Sequence, residues 1–178
     1  MPGPIGLAHT AEKIDGVVQQ FSRDKKIRCV NFGGTFGGTP QQIADKAGPI
    51  WNSMVAAWMD AIDNWARTVI MDTDSEGWEI LRLARFGELT PRGRLDNMYG
   101  PVNAEWRSLF KHFRSQERCS VISIGQTKNE YKDVIRNGKP SSEPTGRTIR
   151  AGHKEQNYMS DVVLRTSKED GVFKVTIE

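Results

Sequence analysis

Arg67-Thr-Val-Ile-Met-Asp72 runs directly into Thr73-Asp-Ser-Glu76, and the fold turns on that join. Thr68 to Met71 is β-branched and apolar without alternation, the pattern of a strand buried on both faces of a parallel sheet. Asp72 closes it. Thr73 and Glu76 have the spacing of a capping box, which opens a helix through Trp78, Leu81, Ala84 and Arg85. A buried strand that hands an acid to a helix N-terminus is a repeating step of α/β architecture.

The flanking sequence repeats that rhythm. Upstream, Pro2-Gly-Pro-Ile-Gly-Leu-Ala8 predicts a strand, and Ile14, Val17, Val18 and Phe21 predict a short amphipathic helix from about Glu12. Lys26 to Phe32 predicts a second strand, and Gly33 to Gly38 a loop. Thr39, Pro40 and Gln42 form a helix start with a capping box. Gly48-Pro49 is expected to interrupt that helix, after which Trp51, Val55, Trp58, Ile62 and Trp65 share one stripe. Such a stripe could stack bases, but apolar residues at helical period are read first as core.

Downstream, residues 91–99 predict a loop, and Val102, Trp106, Leu109, Phe110 and Phe113 the next helix, with Lys111, Arg114 and Arg118 towards its C-terminal end. Cys119 to Gly125 predicts another buried strand, ending at Gln126. Residues 127–160 form a polar tract too long for a plain connector. Asp161 to Arg165 and Val172 to Ile177 flank Asp170-Gly171, a hairpin signal. The expected fold class is α/β: a mostly parallel sheet covered by helices on both faces, with a C-terminal antiparallel hairpin.

The 178 residues, 37% hydrophobic, suffice for one well-buried core and suggest a single domain over 1–178. No apolar run approaches the length that spans a bilayer, and a cytoplasmic location is expected. The two cysteines, Cys29 and Cys119, read as reduced core thiols and suggest neither a disulfide framework nor a Cys/His metal site. The net charge is only +3, but its distribution is uneven. Lys128, Lys132, Arg136, Lys139, Arg147, Arg150 and Lys154 stand against Glu130, Asp133 and Glu143, and Arg82, Arg85, Arg92 and Arg94 against Glu88. Two basic segments on an otherwise acidic body point to a polyanionic partner, the alternative being solvated loops.

The C-terminal edge of a parallel sheet is where α/β proteins bind ligands, so Asp72 is the first candidate for chemistry. In a P-loop fold such an acid orders water on a magnesium ion bridging two phosphates, the Walker B pattern. Gln126, at the end of the next buried strand, could sense a terminal phosphate through its amide and pass that signal to the basic tract behind it. An acid that only caps the next helix and an ordinary strand-end amide are the competing readings.

The stretch Ala66-Arg-Thr-Val-Ile-Met-Asp-Thr-Asp-Ser-Glu-Gly-Trp-Glu-Ile-Leu-Arg-Leu-Ala-Arg-Phe-Gly-Glu-Leu89, followed by Tyr99-Gly-Pro-Val-Asn-Ala-Glu-Trp-Arg107, resembles the phage-encoded RecA-like ATPases of the AAA type. Gly3-Pro-Ile5, Gly16-Val-Val18, Gln126, Glu130-Tyr131, Thr145-Gly-Arg147 and Asp161-Val-Val-Leu-Arg165 fall in the order of that group, so the resemblance covers nearly the whole chain. It implies a RecA-like P-loop NTPase core, ATP with Mg2+ as ligand, and a role in recombination or annealing of single-stranded DNA during phage replication. It also implies that Asp72 is the metal-side acid, and that Asp72, Thr73 and Gln126 contact the nucleotide. Residues 127–154 become a DNA-contacting segment through Lys128, Lys132, Arg136, Lys139, Arg147 and Arg150, and residues 82–98 a second one through Arg92 and Arg94. Glu12 and Asp15 are the candidates for the general base, while His9 and Ala11 stand where further acidic character is expected.

The departure from that group is the Walker A string. Gly-x-x-x-x-Gly-Lys-Ser/Thr, whose amides wrap the phosphates and whose lysine neutralises them, occurs nowhere in the chain. The resemblance puts that loop and its strand just before Gly3, so the expectation is an N-terminally incomplete core that does not turn over ATP alone. A missing central strand would leave buried backbone groups unpaired at about 1–3 kcal/mol each. A recombination partner, an ATPase partner or self-association could supply it. A structural or protein-interaction module that keeps the fold without the chemistry is the alternative.

Overall fold

The computed structural model describes residues 3–10, 26–89, 99–136 and 139–177. The expected helix near residues 12–21 and most of the loop before Tyr99 lie outside them. Strands β1 (Ile5–His9), β2 (Ile27–Asn31), β3 (Thr68–Asp72) and β4 (Ser120–Ile124) form one sheet in the order β2-β1-β3-β4. All its neighbours are parallel, with Ile5 opposite Thr68 and Thr68 opposite Ser120. The join at Asp72 is as the sequence predicts. Helix α2 (Asp74–Phe86) follows at once, with the Thr73 hydroxyl accepting from the Glu76 N–H.

Helix α1 (Pro40–Asp60) carries the expected capping box at Thr39 and Gln42. It does not break at Gly48-Pro49. Proline removes only the bond to the carbonyl of Asp45, and both Pro49 and Asp45 are exposed, while Ala47 and Trp51 on either side are buried. Packing of that inner face outweighs one lost hydrogen bond. A π-helical turn, Ala61–Trp65, ends the element, with Asp60 accepting from Asn64 and from the Trp65 indole at 2.8 and 3.0 Å.

The expected tryptophan core is present: Trp51, Trp58 and Ile62 are buried, and Trp65 packs against the cluster from its edge. Trp51 stacks on Trp106 of helix α3 (Gly100–Arg114), and Trp78 meets Trp106 edge-on. Gly77 of α2 faces this group, with Trp106, Trp58 and Met54 beside it. By strand alternation, Gly6, Ala8, Val69 and Met71 share this core face of the sheet, and Gly6 lies against Ala61 and Trp65. Leu7, Ile70 and Ile122 lie on the other face, half-buried or exposed. Coverage by helices on both faces is therefore not seen among the described residues.

The polar tract after Gln126 is not a loop. It forms a long ribbon of β5 (Thr127–Arg136) and β6 (Lys139–Arg150), antiparallel, with a register shift between Asn129 and Tyr131. Both faces of this ribbon are largely exposed, so no apolar alternation marks it as strand. A single 3-10 turn, Asn157–Met159, leads to β7 (Leu164–Glu169) and β8 (Val172–Ile177). These form a hairpin around the expected turn, with Asp170 and Gly171 both at positive φ, but its first strand starts three residues after the expected Asp161 and runs on past Arg165 to Glu169.

Candidate functional site

Three parallel strands end at one level: Asp72 of β3 is in register with His9 of β1 on one side and Ile124 of β4 on the other. The Thr10 N–H donates to the Asp72 carbonyl at 3.0 Å, which extends the ladder one step past β1. His9 is buried and Asp72 is half-buried, so the acid keeps access to solvent from within the row. The peptide bond from Asp72 to Thr73 is cis. Thr73 spends its hydroxyl on the helix cap.

Gln126 stands two residues beyond β4 and is held at three points. Its N–H donates to the Ser75 hydroxyl at 3.0 Å, its side-chain amide donates to Glu76 at 3.3 Å, and its carbonyl accepts from the Ala151 N–H at 2.8 Å. Glu76 thus turns to Gln126. Burial raises its carboxyl above the ordinary range, although the Gln126 amide works against that. Asp72, Thr73 and Gln126, which the sequence singles out separately, therefore lie on one edge around the first turn of α2.

Beneath that turn is a buried polar knot that sequence reading assigns only to capping. Asp74 is 2% exposed and accepts from the Ser123 hydroxyl and from the guanidinium of Arg150. Burial raises its carboxyl above the ordinary range, while Arg150 and the Ser123 hydroxyl oppose the shift. Gly125 leaves room for Arg150, because a β-carbon there would meet the guanidinium. Ser75 donates to the Ala151 carbonyl at 3.3 Å. The sole hint in the sequence is a run of three polar residues, Asp74-Ser-Glu76, where one cap would suffice.

The basic residues divide. Lys128, Lys132, Arg136 and Lys139 share one face of the β5-β6 ribbon by alternation and register, and all are exposed. Glu143 lies opposite Lys132 and accepts from the Arg136 Nε at 2.8 Å. Arg147 is exposed beside the irregular stretch of β6. Arg150 points inward to Asp74, so its guanidinium serves the ribbon's root. Tyr131 and Ile135 occupy the opposite face, and Ile135 is 80% exposed. Glu12, Asp15, Arg92 and Arg94 lie outside the described residues.

Among the described residues no group of three or more His, Cys, Asp or Glu side chains could enclose a metal ion. Magnesium is commonly held by one or two carboxylates with water and substrate phosphates, and Asp72 fits that partial role. The phosphate side is different. Arg150, the guanidinium nearest this knot, is already paired with Asp74, and the chain has no lysine-bearing glycine loop. The edge thus carries an acid and an amide fixed by Glu76, with no cradle for phosphates among the described residues. Searches of family models, curated proteins and solved structures give no match to this chain.

Proposed function

We propose that this chain is a RecA-like ATPase relative that binds single-stranded DNA through the β5-β6 ribbon. It would contribute the acid-bearing wall of a Mg2+ nucleotide site without hydrolysing ATP by itself. One observation carries the reading: the ribbon is rooted in the same edge that holds Asp72, through Gln126 to Ala151 and Asp74 to Arg150. Bound Mg2+ would screen phosphate charge. Asp72 would order water on the metal, and Gln126, fixed by Ser75 and Glu76, would present its amide beside it. A change at that amide would be felt at Ala151, the first residue after β6. The cationic face of the ribbon suits phosphate tracking without base readout, with exposed Tyr131 on its other face available for stacking. A recombination or ATPase partner, or a further copy of the chain, would then supply the phosphate cradle.

The test is fluorescence anisotropy with a labelled single-stranded oligonucleotide across a salt series. Lys132→Glu with Arg136→Glu should weaken binding on every sequence and flatten the salt dependence by about two counterions. Unchanged affinity at low salt would refute the DNA assignment. In parallel, the chain with Mg2+ and ATP should show no turnover above an Asp72→Ala control, and clear hydrolysis would refute the inactive reading. A non-catalytic interaction module is the second reading, favoured by the exposed apolar residues Phe173, Val175 and Ile177 of β8. It predicts no salt-sensitive DNA binding.

A further inference from the structure

Strand β4 ends the parallel sheet, and its outer edge has no ladder partner among the described residues. Its sequence, Ser-Val-Ile-Ser-Ile, has no charge and no proline, the devices that commonly protect an open edge. Ile122 is 49% exposed. Beside this edge runs a groove of about 610 Å³, lined by Val121 and Ile122 on one side and by Val162, Val163 and Leu164, where β7 begins, on another. Among the described residues, strand β7 has β8 as its ladder partner. A four-stranded sheet and a two-stranded ribbon thus border one slot, and among the described residues each has a strand edge without a ladder partner.

The charges along the slot narrow what can enter it. Its two lining cations are both neutralised, Arg114 by Asp161 at 2.9 Å and Arg150 by Asp74, and Glu117 adds an exposed carboxylate to the lining. A phosphate backbone therefore finds no free lining cation there among the described residues. Unpaired amide and carbonyl groups along β4, beside the apolar Val121, Ile122, Val162 and Leu164 and the neutral Ser120 and Ser160, match instead the backbone and side chains of an extended, uncharged apolar peptide. We infer that the slot between β4 and β7 is a strand-complementation site, which accepts one extended apolar segment of another polypeptide as an added strand on β4. The occupant would also cover Ile122 and Leu164. This inference deepens the reading above, in which a partner completes the core, and it shares Arg150 with the root of the ribbon, but it uses none of the residues on the cationic face of the β5-β6 ribbon.

The probe is a fluorescent Thr-Thr-Val-Ile-Val-Thr-Gly peptide, blocked at both termini, added to the whole 178-residue chain. It should bind saturably and slow amide exchange in β4. A copy with alternate backbone nitrogens methylated keeps the apolar side chains but loses ladder donors, and should bind at least about tenfold more weakly. Ile122→Lys with Leu164→Lys, both at exposed positions, should cause a similar loss while leaving the circular dichroism spectrum unchanged. Equal binding of the methylated peptide, no protection of β4, or displacement of the peptide by single-stranded DNA would each overturn the proposal. So would protection of β4 by self-association in the absence of peptide. Loss of DNA binding in Lys132→Glu/Arg136→Glu, with peptide binding intact, would separate this site from the ribbon.

Discussion

The guanidinium of Arg150 donates to the carboxylate of Asp74, 76 residues earlier in the chain, and so fastens the last residue of the β5-β6 ribbon under the first turn of α2. Arg150→Ala leaves a buried carboxylate with the Ser123 hydroxyl as its remaining donor, since the Ser75 hydrogen goes to the Ala151 carbonyl. Removing one partner of such a pair costs about 3 kcal/mol. The pH dependence has a definite sign. Without Arg150 the Asp74 carboxyl is pushed further above its ordinary value, and a raised folded-state value gives stability that is present below the unfolded value and lost as pH rises. Urea unfolding should therefore show the largest deficit near neutral pH and a smaller one in acid. A deficit that grows on acidification would contradict this account.

Two glycines, one within α2 and one at its C-cap, should respond in opposite directions to the same substitution. A β-carbon at Gly77 would sit 3.5 Å from Trp106 and Trp58 and 3.6 Å from Met54, which is ordinary van der Waals contact. Alanine also favours the helix interior by about 0.5–1 kcal/mol. Gly77→Ala should accordingly raise the melting temperature. Gly87 ends the helix at φ +71, and its β-carbon would collide with the carbonyl of Pro40. Gly87→Ala should lower the melting temperature, because both the backbone and the contact are refused. Thermal unfolding of the two single variants decides the matter.

The contrast between these helices and the β5-β6 ribbon explains what could be read from sequence. Thr68 to Asp72 was legible because an inner strand of a parallel sheet is apolar, although its Ile70 face is only half-buried among the described residues, and Thr73 was legible because a cap needs an oxygen at that place. Trp51, Trp58 and Ile62 announced a buried stripe by their spacing. The ribbon was not legible, since a hairpin exposed on both faces imposes no alternation. Pro49 misled because propensity weighs one lost hydrogen bond, while Ala47 and Trp51 hold the helix from the core side. At the candidate site, Asp72 and Gln126 were visible as strand-end residues. The Asp74 to Arg150 pair was not, because a contact between residues so far apart leaves no local pattern, and charge counting placed Arg150 with the solvent-facing cations.

His153 provides a separate test of how the segment after β6 is held down. Its ring is 7% exposed and stands edge-on to Trp78, with centroids 4.9 Å apart. Burial lowers its proton affinity below the ordinary value of 6.5; Glu155 pulls the other way and Arg107 adds to the lowering. A depressed folded-state value means that the unfolded chain takes up the proton first, so the contribution of His153 is present above 6.5 and is lost as pH falls through the folded value. Protonation would place a cation in the apolar contact with Trp78. Stability measured by urea unfolding should thus decline below neutrality, and His153→Phe, which keeps an aromatic ring on Trp78 and cannot be protonated, should remove part of that slope. An identical pH profile in the variant would mean that His153 stays hydrated enough to titrate alike in both states, and the packing described for it would be wrong.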